Sequence, residues 1–526
     1  MSAVFNYGTD SLTVATALAI ANGTCKGVIG SDTAARVKRS QADVAEIVSS
    51  GRTVYGINTG FGILANTAIS AADTATLQHK ILQSHSVGVG ALLPPEVAKL
   101  MLITKAHALA KGYSGICLST LERIVWHIDN NVIPVVPEKG SVGASGDLSP
   151  LSHLFLPLIG LGEVLVTGAK QGSYERVAAS TFLTARGIDP ISLGPKEGLA
   201  LINGTQFILS FAVKAVQRLH NCLEAADIIG AMSLEALTGT KAPFDARLHE
   251  LRPFAGNQLV AQRLRLLLQD SAIMESHVDC GRVQDPYSLR CMPQVHGASR
   301  NSWLHLAELT QIELNSVTDN PVLLQGGEAI SGGNFHGQPL AIPLDYASVA
   351  AAELGNISDR RCYLLLEGKW GLPVLLMNKV GLNSGFMIPQ YTTAALVTEN
   401  KTLCFPASAD SIPTSLGQED HVSMGSISGR KLGQIIDNLE YILAIELLSA
   451  AQAIEFRRPL KSSSILEFAH SYVRDHVSFA EEDRIFSLDV ERVASLLRSF
   501  DFVERVSQFA TAEGRPLNKG YEPFGL

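Results

Sequence analysis

The strongest constraint on the fold is a long apolar pattern between Lys431 and Arg457. Leucine and isoleucine recur there at the i, i+3, i+4, i+7 spacing of one helix face. The stripe consists of Leu432, Ile435, Ile436, Leu439, Ile442, Leu443, Leu447 and Leu448, and Ile445 widens it. A helix that is apolar over so broad an arc has to pack inside a bundle of other helices. The sequence therefore predicts a mainly α fold with a long-helix bundle as its core.

A second distinctive stretch is the glycine-rich segment at residues 140–150, in which Ser145 lies between Ala144 and Gly146. Its glycines allow positive φ angles and a close approach of the backbone to itself. If the amide nitrogen of Gly146 reached the carbonyl carbon of Ala144, a five-membered ring would close. Loss of water there and from Ser145 would leave an electron-poor exocyclic alkene. The segment is thus a candidate electrophile made from the chain itself.

Three simpler interpretations of this segment compete with the electrophile. A phosphate-binding loop is disfavoured, because the order Gly-x-x-Gly-x-x-Gly differs from the dinucleotide fingerprint and no glycine precedes Lys-Ser or Lys-Thr. A hydrolase nucleophile is disfavoured, because Asp147 stands where Gly-x-Ser-x-Gly requires glycine. A plain glycine-rich turn remains, and the tripeptide alone favours it.

Composition narrows the class of partner. The chain is 46% hydrophobic and only 17% charged, which suggests that additional surface is buried between subunits. A formal net charge of -8 and a pI near 6.0 give no basic footprint for nucleic acid or an anionic membrane. Small-molecule chemistry is therefore favoured.

Cysteine usage and the N-terminus bear on the compartment. The seven cysteines are scattered and contain no C-x-x-C pair, which indicates reduced thiols in a cytoplasmic protein. Cys280 and Cys291 lie near His277, but their spacing matches no zinc pattern, so we assign no metal. The N-terminus lacks the basic and apolar regions of a signal peptide. The most apolar run, 154–166, is too short and too interrupted for a membrane span, so we expect a soluble protein.

Weaker patterns predict the remaining elements. Predicted helices lie at 31–50, at 77–90 and within 95–131, and short strands lie at 163–168 and in the stretch through 187. The chain after Glu197 is predicted to be mostly helical, with surface helices at 464–526. Asn203-Gly204-Thr205 should interrupt a helix, because an Asn-Gly pair is costly in a helix interior.

Six motifs together resemble the aromatic amino acid ammonia-lyase family. They are Tyr55–Gly62, Gly143–Leu148, Asn203–Thr205, Gln284–Cys291, Gly332–His336 and Gln418–Met424. They occur in the family's order and span nearly the whole chain.

The resemblance implies an architecture and a prosthetic group. We expect an N-terminal mixed domain at 1–200 that carries the Ala-Ser-Gly loop, followed by a helical bundle domain with C-terminal surface helices at 201–526. The group would be 4-methylidene-imidazol-5-one (MIO), formed autocatalytically from Ala144-Ser145-Gly146 without an external cofactor. A homotetramer whose sites are each built from three chains is also implied.

The reaction of such a family needs an electrophile and a base, because an amine leaves poorly and a β-hydrogen is weakly acidic. By resemblance, Tyr55 is the base, which requires its phenol to ionise below the usual pKa of ~10. Arg290 would hold the substrate carboxylate in a bidentate fork. The simpler interpretations are that Tyr55 is an ordinary half-buried tyrosine and that Arg290 forms a structural salt bridge.

Four further side chains are assigned by the same resemblance. Asn203, Gln284 and Tyr287 would line the prosthetic group and the substrate amine, with donors aimed at the ring oxygen. Phe335 would pack on the substrate, although a core aromatic is the simpler interpretation.

Two residues predict the substrate. The family's histidine-specific members carry Ser-His where this chain has Ser84-His85, whereas tyrosine lyases tend to His-Leu and phenylalanine lyases to Phe-Leu. Glu419 supplies a carboxylate that can pair with an imidazole N–H and would be a desolvated burden opposite a phenyl ring. The simpler interpretations are that His85 caps the end of a helix and that Glu419 is an acid at a helix start.

The combined prediction is elimination of ammonia from L-histidine to give trans-urocanate, a step of histidine catabolism. The alternatives are a tyrosine ammonia-lyase, an aromatic aminomutase, or a catalytically silent helical scaffold.

Overall fold

The computed structural model describes residues 3–60, 69–170, 172–278 and 280–517. Two residues of the first motif, Phe61 and Gly62, lie outside the described residues. Helices dominate the fold and the strands are short, which confirms the predicted mainly α class.

The first 200 residues alternate helices with short strands. These elements are β1 (Ala3–Asn6), α1 (Val14–Ala21), β2 (Cys25–Val28), α2 (Ser31–Ser49), α3 (Ala71–His85), β3 (Val89–Leu92), α4 (Pro95–Ala110), α5 (Leu118–Asp129), β4 (Ile133–Pro134), β5 (Pro137–Lys139), α6 (Leu148–Phe155), β6 (Glu163–Thr167), β7 (Tyr174–Ala178), α7 (Ala179–Arg186) and α8 (Glu197–Ile202). Strand β1 pairs in parallel with β2, β3 pairs antiparallel with β5, and β4, β6 and β7 form an antiparallel sheet in that order.

The rest of the chain is built on long helices. Its elements are α9 (Gln206–Ala236), α10 (Ala246–Glu250), α11 (Ala255–Leu267), α12 (Ala272–Glu275), α13 (Tyr287–Arg290), α14 (Met292–Leu314), β8 (Val322–Leu323), β9 (Ala329–Ile330), α15 (Gln338–Leu366), α16 (Met387–Leu403), α17 (Gly425–Glu455), α18 (Ser464–His476), α19 (Phe486–Arg498) and α20 (Asp501–Ala512). Strands β8 and β9 form an antiparallel pair. Among the described residues, no helix combines the length and apolar character that a membrane span requires.

Helix α17 is the centre of the bundle and packs against α9, α15, α16 and α19. All nine residues of the predicted apolar stripe are buried in it. This confirms the helix predicted from periodicity, although it begins earlier, at Gly425. The division of the chain at residue 200 stays a prediction.

The helices predicted within the first 131 residues were confirmed in part. Helix α2 matches the predicted 31–50 closely. The prediction of a helix through residue 90 was wrong, because α3 ends at His85 and the chain turns into β3, with Gly90 at a φ of 92°. The helical region 95–131 is split into α4 and α5 by a segment in which Gly112 and Gly115 also have positive φ.

Two further local predictions concern residues 163–205. Strands β6 and β7 lie where strands were expected, but the stretch up to 187 ends in helix α7. The interruption at Asn203-Gly204-Thr205 is confirmed, since α8 ends at Ile202 and α9 starts at Gln206.

A buried ionic contact joins three bundle helices. Glu446 on α17 accepts hydrogen bonds from Arg361 on α15, at 2.5 Å from Nε and 2.9 Å from Nη2. Ser358 Oγ on α15 and Ser233 Oγ on α9 donate to the same carboxylate at 2.5 and 2.7 Å. Because all four residues are buried, each charge depends on its partner for compensation.

His127 and Glu163 are polar groups in contrasting surroundings. His127 is buried, and its Nδ1 lies 3.1 Å from the carbonyl oxygen of Val132. Burial lowers the pKa of this imidazole to about 4. Glu163 instead pairs with Arg176 on an exposed face of the β6–β7 sheet.

Candidate active site

A cavity of about 440 Å³ gathers residues that are distant in the sequence. It is lined by Tyr55, Gly60, Ile69, Leu77, Lys80, Ile81, Ser84, His85, Ser145, Leu148, Leu199, Ser415 and Glu419. Four of the predicted site residues are therefore brought together: Tyr55, His85, Ser145 and Glu419. The folded chain surrounds the candidate electrophile with a phenol, an imidazole and a carboxylate.

The Ala-Ser-Gly loop is held tightly against the break between α8 and α9. The Asp147 amide donates to the Gly204 carbonyl oxygen at 2.8 Å, and Gly146 forms a bridge with Gly204. Gly146 has a φ of 78°, and a Cβ added there would lie 2.1 Å from the Gly204 carbonyl oxygen. Only glycine fits at position 146 without displacing the backbone.

Two N–H groups point at the carbonyl oxygen of Ser145. Asn203 Nδ2 lies 3.2 Å from this oxygen, and the Gly204 amide nitrogen lies 3.4 Å from it. Asn203 is buried, and no partner is seen for its Oδ1 atom among the described residues. These two donors are placed to stabilise negative charge on the carbonyl oxygen of Ser145.

Asp147 holds the Ala-Ser-Gly loop in place through its hydrogen bonds. Its Oδ2 atom accepts from the Ile208 amide at 3.0 Å, and its Oδ1 accepts from Ser141 Oγ at 3.2 Å. Burial raises the pKa of this carboxyl to about 7, although its hydrogen bonds oppose the shift. Asp147 thus ties the start of α6 to the first turn of α9. The sequence argument had used it only to reject a hydrolase motif.

Glu419 and Ser145 are in direct contact. Ser145 Oγ donates to Glu419 Oε1 at 3.0 Å, and Thr414 Oγ1 donates to Oε2 at 3.1 Å. The carboxylate is therefore oriented towards the side chain from which the electrophile would form.

His85 lies at the C-terminal end of α3 and lines the same cavity. Its Nδ1 atom is 2.9 Å from Ser84 Oγ. Burial lowers its pKa, while the Ile81 backbone and the charge of Glu419 act in the opposite direction. Because Nδ1 contacts Ser84, Nε2 is the nitrogen left for a ligand, and a neutral imidazole can use it as donor or acceptor according to its tautomer.

The remaining predicted residues do not line this cavity. Arg290 Nη2 donates to Gln284 Oε1 at 3.0 Å, and the Arg290 guanidinium lies 4.6 Å from the Tyr287 ring centroid. These three residues form a separate cluster, in which the Tyr287 side chain is 71% exposed. Phe335 is half-buried in the loop before α15.

Several cavity residues were missed from the sequence. Leu77 and Ile81 were missed, although they lie at i and i+4 on the face of α3 that also carries Ser84, at i+7, of the predicted Ser84-His85 pair. Lys80 borders the same face. That helical spacing could have identified these residues as lining one site, whereas no sequence pattern marked Leu199 or Ser415 as cavity residues.

The site suits chemistry on the Ser145 segment. Among the described residues, no group of three or more histidine, cysteine, aspartate or glutamate side chains is arranged to hold a metal ion. The glycine-only position at 146 and the donors on the Ser145 oxygen fit a ring closed from Ala144, Ser145 and Gly146.

Comparison with known proteins gives matches over most of the chain. Residues 12–475 match a family model described as aromatic amino acid lyase. The histidine ammonia-lyase of Pseudoalteromonas atlantica is 44% identical over 479 residues, which cover 91% of this chain and 93% of that protein. The histidine ammonia-lyase of Aliivibrio fischeri is 47% identical over 458 residues, with 86% and 89% covered.

Two solved structures are also similar over nearly the full length. The crystal structure of histidine ammonia-lyase from Trypanosoma cruzi has a TM-score of 0.87 at 42% identity, covering 96% of this chain and 95% of that one. Tyrosine aminomutase from Streptomyces globisporus has a TM-score of 0.90 at 33% identity, with 96% and 98% covered.

Proposed function

Because the chain belongs to the aromatic amino acid lyase family, we propose that it is an ammonia-lyase that converts L-histidine to trans-urocanate and ammonia. The observation that carries the choice of substrate is the contact between Glu419 and Ser145, in a cavity that His85 also lines. A carboxylate at this place offers a charge-assisted hydrogen bond to an imidazole N–H. A phenyl ring would offer the same carboxylate no donor and would still desolvate it.

The electrophile in this proposal is MIO, formed by autocatalytic cyclisation of Ala144, Ser145 and Gly146. Once formed, this group supplies an electron-poor alkene that activates the substrate for loss of its amine. The chain's own part is to hold the loop and to aim Asn203 Nδ2 and the Gly204 amide at the Ser145 oxygen. No metal and no external cofactor enter the proposal.

The other predicted residues keep their roles as proposals. Tyr55, half-buried in the cavity, removes the β-proton. Arg290 binds the substrate carboxylate, for which its planar fork is suited. Gln284 and Tyr287 line the prosthetic group and the substrate amine, and Phe335 packs on the substrate or shapes the pocket.

We propose a homotetramer, because one chain does not bring Arg290 to the cavity and because an apolar stripe lies exposed on α15. Ile342, Tyr346, Val349 and Tyr363 are each 51% to 54% exposed along that helix. Exposed apolar stripes of this kind mark protein interfaces. In a closed symmetric assembly, the Arg290 cluster of one subunit would complete the cavity of another, with three chains contributing to each site.

A mixing experiment tests the shared site. Chains carrying Ser145→Ala and chains carrying Arg290→Met are each expected to be inactive, and co-expression is expected to restore part of the activity. Restoration requires sites that take Ser145 from one chain and Arg290 from another. If the co-expressed pair forms mixed oligomers but stays inactive, the shared site is wrong.

We also propose a cytoplasmic location, in the catabolism of histidine. It is supported by seven free cysteines, three of them buried, which suit a reducing compartment.

The substrate is tested by following ultraviolet absorbance with L-histidine, L-tyrosine and L-phenylalanine separately. Growth of a urocanate band with histidine alone is expected. The likeness to tyrosine aminomutase gives the alternative, and turnover of tyrosine instead would overturn the choice of histidine. The electrophile is tested with Ser145→Ala, which should lose the near-ultraviolet band of the wild-type protein. Coinciding spectra would contradict it.

A further inference from the structure

A buried lysine lies directly behind the loop that carries Ser145. Lys105 is in α4, a helix whose residues from Val97 to Ala110 are all buried. Its side chain is 2% exposed. Burial of an ammonium group is costly unless it is compensated, so this position calls for a partner.

The partner is a backbone carbonyl. Lys105 Nζ donates to the Asn203 carbonyl oxygen at 2.5 Å. Within the described part of the chain, no carboxylate lies within ion-pair distance of Lys105. The nearby acids Asp319 and Asp147 are instead engaged with Lys196 and with the loop. Burial lowers the pKa of Lys105 to about 7, and the charges of Asp319 and Asp147 oppose that shift.

The peptide bond that Lys105 contacts also reaches Ser145. The carbonyl of Asn203 and the amide of Gly204 belong to one peptide unit, in which C=O and N–H point in opposite directions. The Gly204 N–H points at the Ser145 carbonyl oxygen, 3.4 Å away. A cation on one end of a peptide strengthens the donor at its other end, because hydrogen bonds in a chain polarise one another.

We propose that Lys105 is a positioning residue that sets the electrophilicity of the ring formed at Ser145, acting through the Asn203–Gly204 peptide. The inference rests on the proposed cyclisation, in which the Ser145 carbonyl oxygen is retained in the ring. Negative charge that develops on this oxygen is stabilised by the Gly204 amide, and the ammonium group reinforces that amide without contacting the substrate.

Lys99 provides a matched control. It lies on the same helix, is also buried although less completely than Lys105, and donates to Asn131 Oδ1 at 3.2 Å, away from the loop. Lys105→Met and Lys99→Met therefore remove the same charge from the same helix. Lys105→Gln retains an N–H donor without the charge, and Lys105→Arg retains the charge.

Three readouts separate the inference from the proposed function. Intact mass shows whether the chain has lost two water molecules, near-ultraviolet absorbance reports the ring, and the rate of loss of that band with a small thiol reports its electrophilicity. If the wild-type chain keeps both waters, the proposed cyclisation fails. If it loses them, the variants test Lys105 alone.

Lys105→Met is expected to lose both waters, to absorb at shorter wavelength, and to add the thiol about 10-fold to 100-fold more slowly than wild type, since outright loss of a donor to a developing oxyanion costs roughly 100-fold to 1000-fold and here the donor is only weakened. Lys105→Arg should restore most of the rate, and Lys99→Met should react like wild type. A wild-type rate in Lys105→Met would overturn the inference. So would a folded variant that keeps both waters, because Lys105 would then serve ring closure. If Lys105→Met does not fold, Lys105→Gln replaces it, and failure of both means a structural role and overturns the inference.

Discussion

Replacement of Glu419 by glutamine tests the substrate assignment most directly. The side chain keeps its shape and, before the ring closes, one carbonyl oxygen for the Ser145 hydroxyl, which lies 3.0 Å from the present carboxylate. The Thr414 hydroxyl can accept from the new amide, since a hydroxyl is both donor and acceptor. Glu419→Gln therefore changes the charge in the cavity and leaves its packing in place.

The expected loss follows from the interaction that disappears. A hydrogen bond to a charged group contributes about 1.5–3 kcal/mol. If the Glu419 carboxylate binds the substrate imidazole in the transition state, kcat/KM for L-histidine should fall roughly 10-fold to 150-fold, since 1.36 kcal/mol is tenfold in rate. Initial rates from the growth of urocanate absorbance measure this directly.

Asp420→Asn is the matched control, because Asp420 is the next residue, is exposed, and does not line the cavity. It loses the same charge and should turn over histidine like wild type. The reasoning is refuted if Glu419→Gln retains the wild-type kcat/KM for histidine, or if Asp420→Asn loses as much. Tyrosine turnover that survives in Glu419→Gln would point to the tyrosine-specific alternative.

Three predictions concern the folded state, each followed by urea unfolding. Gly146→Ala should lose the near-ultraviolet band and should lower the free energy of unfolding more than Gly172→Ala does. Gly172 has a similar φ of 75° but lies in open space, so its replacement costs only the left-handed backbone conformation, about 1–2 kcal/mol. Equal losses of stability would contradict the clash with Gly204. Glu446→Gln should lower the free energy of unfolding by about 3–5 kcal/mol, because it leaves a buried guanidinium without its counter-charge. Glu163→Gln, in an exposed pair, should lower it by at most about 1 kcal/mol. Similar losses in the two variants would refute the effect of burial. The pKa of His127 is about 4 in the folded chain, so the unfolded chain takes up a proton first as the pH falls from 6.5 to 4, and the free energy of unfolding should drop by up to roughly 3 kcal/mol. His127→Gln should make this dependence of stability on pH shallower. An unchanged pH dependence would argue against the role of His127.

Much of the architecture could be predicted from local pattern. The apolar stripe of α17 has the period of a helix, so its burial was readable without knowing its neighbours. The break at Asn203–Thr205 was readable because an Asn-Gly pair resists helical backbone angles. The overestimated helix at 86–90 shows the limit, since α3 ends at His85 and residues 89–92 pair as β3 with the distant strand β5, which local pattern did not reveal.

The amino-acid sequence by itself determined the helical bundle, the glycine-rich loop and the residue types available for chemistry, because these depend on helical period, backbone freedom and side-chain identity. Tertiary structure alone decided which of them meet. The contact between Ser145 and Glu419 joins residues 274 positions apart, and the contact between Lys105 and Asn203 crosses 98. No spacing encodes such contacts, because they arise only when separate helices pack. The same packing left Arg290 outside the cavity, in a separate cluster with Gln284 and Tyr287.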